Sequence, residues 1–221
     1  MINFSTLSKS ILGLSAGLLM SSNAMAAVQL EPIAESQQEM GQYQSLNQNF
    51  GRVSVSLRQV ADPGQTTVFH PNGAGKLSDT FSAYNYKNIV KTQVFQLKIQ
   101  NNEGRAIEAD QLKIQVSFNG LPYEYLDQNA LIKQWRHYYY LNTNTITGAP
   151  DFMEQERAIT AEHFIEQNSF QAQDIPAGGE LNGLIAVPAL QQSGLLKFRI
   201  RNLSSGGTIQ DFVFSFNAKQ V

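Results

Sequence analysis

Leu196-Lys197-Phe198-Arg199-Ile200-Arg201 places an apolar side chain at every second position and a cation between each. After the turn residues Ser204-Ser205-Gly206-Gly207 comes Phe212-Val213-Phe214-Ser215-Phe216, with the same period. Side chains alternate across a strand, so a period of two gives one buried face and one wet face. The pair therefore reads as a hairpin of half-buried antiparallel strands. Three earlier stretches repeat the pattern. Val53, Val55 and Leu57 alternate with Ser54, Ser56 and Arg58; Phe95, Leu97 and Ile99 flank Gln96 and Lys98; Leu112, Ile114, Val116 and Phe118 enclose Lys113, Gln115 and Ser117. Asn101-Asn102-Glu103-Gly104 and Asn119-Gly120 supply residues that tolerate the positive φ of tight turns. Together these predict an all-β antiparallel sandwich over residues 50–221.

Residues 127–167 interrupt the pattern and predict a helical insertion. Asp127 caps a first helix whose stripe is Leu131, Trp135 and Tyr138 or Tyr139. Asp151 and Glu154 fit a capping box opening a second, with Phe152, Ile159 and Ile165 as apolar positions. Residues 27–49 are polar and Gln-rich, and read as a flexible lead-in.

The stretch Val94-Phe95-Gln96-Leu97-Lys98-Ile99-Gln100-Asn101-Asn102, the strand pair over residues 111–125, and Asp174-Ile175-Pro176-Ala177-Gly178-Gly179-Glu180 before the Gly183-containing strand occur in a recognisable order. That order resembles the immunoglobulin-like, telokin-like sandwiches of bacterial exported proteins. The resemblance implies an immunoglobulin-like fold and an envelope setting, in domains that generally bind or scaffold. It implies no catalytic residues.

Residues 1–26 read as a signal peptide. Lys9 precedes an apolar run over residues 11–20, and Ala24-Met25-Ala26 offers the small residues of a cleavage site. The run is short for a bilayer span of about 20 residues. Cleavage near Ala26 predicts a periplasmic or secreted bacterial protein. The formal net charge of −2 gives no electrostatic footprint for nucleic acid. The chain contains no cysteine, which removes thiol catalysis, thiolate metal sites and a lipid-anchored N-terminus.

Motifs for chemistry are weak. Gly73-Ala74-Gly75-Lys76-Leu77-Ser78 lacks the first glycine of a phosphate loop, where His70 stands, and Leu77 replaces the Mg²⁺-binding hydroxyl. His137, His163 and Glu166 admit a metal site across the two helices, but no HExxH pattern accompanies them, and no metal or cofactor is expected. No Gly-x-Ser-x-Gly elbow occurs, and the chain reads as no enzyme.

The most unusual hexamer is Trp135-Arg136-His137-Tyr138-Tyr139-Tyr140, which holds the sole tryptophan. Trp, Tyr and Arg are favoured at interfaces, and six consecutive helical residues cannot all face a core. Trp135, Arg136, Tyr138 and Tyr140 are therefore the candidate contact residues. The expected function is a non-catalytic binding or scaffold protein that meets an envelope protein or glycan through the insertion. The alternatives are a carbohydrate-binding module and, behind it, a metal-dependent hydrolase.

Overall fold

The computed structural model describes residues 28–35, 38–61, 65–69, 78–87, 90–143, 152–205 and 207–220. The proposed signal peptide, His70 and the loop at residues 73–77 lie outside them. The alternating runs become strands, and the strands form two antiparallel sheets. The first sheet has the order β1 (Val28–Ile33), β13 (Thr208–Gln220), β12 (Gly194–Ser205), β9 (Lys113–Phe118), β10 (Leu121–Tyr123). The second has the order β11 (Glu180–Pro188), β8 (Val90–Asn101), β4 (Val53–Val60), β3 (Leu46–Phe50), β2 (Gln38–Met40). The short strand β7 (Asn85–Tyr86) also pairs with β8, and β5 (Gln65–Phe69) forms a separate ribbon with β6 (Ser78–Ser82).

The core between the sheets is built from the predicted inward residues. Val55, Leu57, Phe95, Leu97, Phe198, Ile200, Phe214 and Phe216 are all buried there. Phe95 meets the rings of Phe198 and Phe216 edge-on, at centroid distances of 4.5 and 5.1 Å. Asn119 and Gly120 both take positive φ in the two-residue turn between β9 and β10, the conformation such hairpins need. A bulge after Ile200 shifts the register of β12 against β13, and Asn202 at φ 64° absorbs it.

The expectation of a flexible lead-in is corrected. Val28–Ile33 pairs along its whole length with β13, from Val28 opposite Gln220 to Ile33 opposite Ser215. Ladder hydrogen bonds are made by the backbone, so a polar strand can join a sheet edge if it brings an apolar anchor. Leu30 and Leu46 are those anchors, and both are buried. Past Ser215, β13 continues without β1. There the side chains of Gln38 and Gln48 take over: Gln38 Nε2 donates to the Val213 carbonyl, and the Val213 N–H donates to Gln48 Oε1 at 3.3 Å.

Asn101 ends β8 as a fully buried clasp. Its Nδ2 donates to the carbonyls of Arg105, Ile175 and Pro176 at 2.8–3.0 Å, and its Oδ1 accepts from the Glu103 N–H at 2.9 Å.

The insertion forms two helices, α1 (Gln128–Thr143) and α2 (Phe152–Asn168). Asp127 Oδ1 accepts from the Ala130 N–H at 2.8 Å, the cap expected from the sequence. The helices lie on the outer face of the second sheet, because Val94 and Ala186 join the helical cluster while their neighbours Phe95, Ile185 and Val187 join the inter-sheet core. The chain enters and leaves this layer along the free edge of β11. The Leu126 N–H donates to the Ala186 carbonyl at 2.9 Å, and the Phe170 N–H to the Leu184 carbonyl at 2.8 Å. Gly183 stands next to the second rung because a Cβ there would lie 2.4 Å from the Phe170 Cα. The helices cover only part of the sheet face. Ser54, Ser56, Gln96, Lys98 and Asn182 are not buried beneath them.

Candidate functional site

The structure disperses the four candidate contact residues. Trp135 is 0% exposed, its indole Nε1 donates to the Ala83 carbonyl at 2.9 Å, and its ring stacks on Tyr86 at 5.3 Å. Tyr138 is buried beside it, 6.1 Å away between ring centroids. The contact role expected of these two is therefore corrected: at a spacing of three they share the helix face that packs on the sheet. Arg136 is exposed, and its Nε and Nη2 donate to Glu162 Oε2 at 3.1 and 2.9 Å, tying α1 to α2. Tyr140 lies on α1, and its side chain is outside the described residues.

Asp151, the other half of the expected capping box, lies outside the described residues, and Glu154 makes contacts that the sequence does not announce. Its side chain points under the helices, where Tyr138 Oη donates to Oε2 at 2.7 Å and Tyr86 Oη lies 3.1 Å from both oxygens. Lys87 Nζ and Arg157 Nη1 reach Oε1 at 3.1 and 2.7 Å. Burial alone would raise its pKa, but the bonds from Tyr138 and Lys87 and the charge of Arg157 outweigh it and hold the carboxyl below its ordinary value. Tyr138 is pushed up, by burial first and then by its bond to Glu154. The cluster fastens the helices to the sheet.

A carboxyl with a depressed folded pKa stabilises above its unfolded value and loses that stability as pH falls through the folded one. Glu154→Gln is expected to cost about 2–3 kcal/mol at pH 7, with the gap from wild type closing toward pH 3. Urea titrations at the two pH values check this; a gap that is the same at both would remove the carboxylate from the account.

The open polar site lies where the helical layer ends. A groove of about 310 Å³ is floored by Arg58, Gln96 and Asn182 and walled by Phe164, Gln167 and Asn168 from α2. Strand register puts Arg58 of β4 directly opposite Gln96 of β8, and Asn182 of β11, opposite Lys98, on the diagonal from Gln96. Arg58 Nε donates to Gln96 Oε1 at 2.7 Å, and Gln96 Nε2 donates to Asn182 Oδ1 at 2.9 Å. Arg58 also stands over the ring of Tyr43, 5.6 Å from its centroid. Tyr43 is 80% exposed at the tip between β2 and β3. Tyr43 and Gln44 take φ of 55° and 58°, left-handed conformations that cost a non-glycine residue about 1 kcal/mol or more each. A strained, exposed aromatic beside a positioned guanidinium is a feature that core packing does not require.

A second groove, about 540 Å³, crosses the outer face of the first sheet along Gln115, Ser117, Lys197 and Arg199. It is larger, but its cations are the wet positions of an alternating strand. Lys197 is already 3.9 Å from Glu35, and the neighbouring Arg201 bonds to Asp211 at 3.2 Å. The ordered relay makes the smaller groove the better candidate.

His163 Nδ1 is 3.6 Å from Glu166 Oε2, and among the described residues no group of three His, Cys, Asp or Glu side chains is placed to hold a metal ion. No described helix is long and apolar enough to cross a membrane. Compared with protein-family models, with curated proteins and with solved structures, the chain matches none.

Proposed function

We propose that this chain is an exported, non-catalytic binding protein of a bacterial envelope, and that it contacts its ligand at the groove beside α2. The observation that carries this reading is the Arg58–Gln96–Asn182 relay, three polar side chains fixed in a row on an uncovered sheet face beside the exposed Tyr43. Fixed polar groups in a concave site are what a recognition surface needs, since they orient a ligand without losing freedom on binding. The likeness of the strand order to immunoglobulin-like envelope domains supports a scaffold and not a catalyst. The signal-like residues 1–26 support export. In this reading the helices serve the site indirectly. Packed through Trp135 and Tyr138, they hold the wall of Phe164, Gln167 and Asn168 in place.

Co-sedimentation of the mature chain with envelope fragments tests the proposal. Wild type is expected in the pellet, and Arg58→Glu is expected to reduce the bound fraction about 10-fold or more while far-UV circular dichroism stays unchanged. Arg136→Ala, an exposed position that does not line the groove, should bind as wild type. Retention that fails with Arg136→Ala and survives Arg58→Glu would move the contact back to the helical insertion.

A further inference from the structure

We infer that the groove beside α2 takes a carboxylate-bearing saccharide, of which a uronate is the simplest case; this rests on the binding role proposed above.

The relay determines the chemistry of its own open valences. A guanidinium can only donate, so Gln96 must turn its Oε1 toward Arg58. Its Nε2 then faces Asn182 and needs an acceptor, which fixes Asn182 with Oδ1 inward. What remains outward is a row of donors: Nη1 and Nη2 of Arg58, a second N–H of Gln96, and both N–H bonds of Asn182 Nδ2. None of these has a protein partner among the described residues. Arg58 is also the only charged side chain among the described residues that line the groove. The nearby Lys98 is neutralised by Glu180 at 2.8 Å. The complement of such a floor is an anion rich in acceptors.

A planar monoanion suits it best. The two Nη groups of Arg58 form the fork that matches a carboxylate. A phosphate would call for more cations or for a cluster of backbone N–H groups, and the lining supplies one guanidinium and side-chain amides.

The rest of the groove suits a sugar body. Tyr43, stacked under Arg58 at the margin of the groove and 80% exposed, keeps its other ring face open to the C–H side of a pyranose, and Phe164 stands half-buried in the wall. One N–H of Asn168 Nδ2 goes to the Phe164 carbonyl at 2.8 Å, and its Oδ1 can accept from hydroxyls. Gln167 can donate and accept. The floor carries amides where a peptide side chain would need an apolar pocket. At about 310 Å³ the groove is at the small end for a ligand site.

Isothermal titration of the mature chain with oligogalacturonate and oligoglucuronate tests the inference. One of the two is expected to bind with a Kd of about 1 mM or tighter. Its methyl ester, which keeps the sugar and removes the charge, should bind at least about 10-fold more weakly. Asn182→Asp keeps the side chain's shape and replaces donors with an anion, and should weaken binding by a similar factor. Arg136→Ala should leave it unchanged. Equal binding of acid and ester, equal binding of propionate alone, or preference for a peptide carboxyl terminus overturns the inference. So does absence of binding by both uronates. If that absence accompanies normal envelope retention lost on Arg58→Glu, the saccharide assignment falls and the binding role stands; if retention is absent too, both fall.

Discussion

Trp135→Ala is expected to destabilise the chain by about 3–5 kcal/mol, the range for deleting a large buried aromatic. The indole is fully enclosed between the helices and the outer face of the second sheet. Its ring touches Tyr86, Phe81 and Tyr138, with centroids 5.3, 5.8 and 6.1 Å away. Truncation opens a cavity that α1 cannot close without leaving Leu131 and Ile132, and it leaves the Ala83 carbonyl without its partner. Urea denaturation followed by far-UV circular dichroism reads the loss. Trp135→Phe, which keeps most of the volume and loses the N–H, should recover more than half of it. A Trp135→Ala protein with wild-type stability and impaired envelope binding would place the indole at a contact surface instead.

The second large effect belongs to Asn101→Asp, which replaces two buried N–H donors by a carboxylate oxygen facing the carbonyls of Arg105, Ile175 and Pro176. An uncompensated buried charge of this kind costs about 3–5 kcal/mol. The environment favours the protonated acid, so the folded pKa of the new side chain stands above its unfolded value of about 3.9. The folded state then binds protons more tightly than the unfolded one, and the penalty grows as pH rises from below that value through the folded pKa. Denaturation midpoints at pH 3 and pH 7 should show a small gap from wild type at the lower pH and a large gap at the higher. A gap that does not widen would mean that water reaches the clasp.

Both variants act at places the sequence makes partly visible. Period-two alternation exposes β4, β8, β9, β12 and β13, because each has an apolar face against the inter-sheet core. The same signal runs through Val28, Leu30 and Pro32, whose neighbours Gln29 and Glu31 are exposed, but it is weakened by the proline. Proline is tolerated there since β1 is an edge strand, opposite Phe216 of β13. In the insertion, the stripe of Leu131, Trp135 and Tyr138 correctly marks the packed face, and that packing is what withdraws two of the four contact residues from the surface. Ile159 shows the limit of such stripes: it is half exposed, while Ala158 and Ala161 are buried in the helical cluster.

Glu154 and the groove were hidden for a different reason. Tyr86 and Tyr138 come from chain segments far from Glu154, and Arg58, Gln96 and Asn182 are separated by 38 and 86 positions. Only strand register makes the last three neighbours, and no local pattern encodes register between distant strands. The one local hint was Tyr43, an aromatic in a polar stretch.

The glutamines at the open end of β13 bear on how the molecule behaves in crowds. A strand laid against that edge would bring its own row of amides and carbonyls, and so would recruit another strand in turn. Gln38 and Gln48 bind the same N–H and C=O of Val213 through side-chain amides. Having satisfied one rung, they present no continuous backbone to the next arrival. They act as a chain terminator does in polymerisation, occupying the growing end with a group that cannot propagate, and so they favour separate molecules over fibres at high concentration.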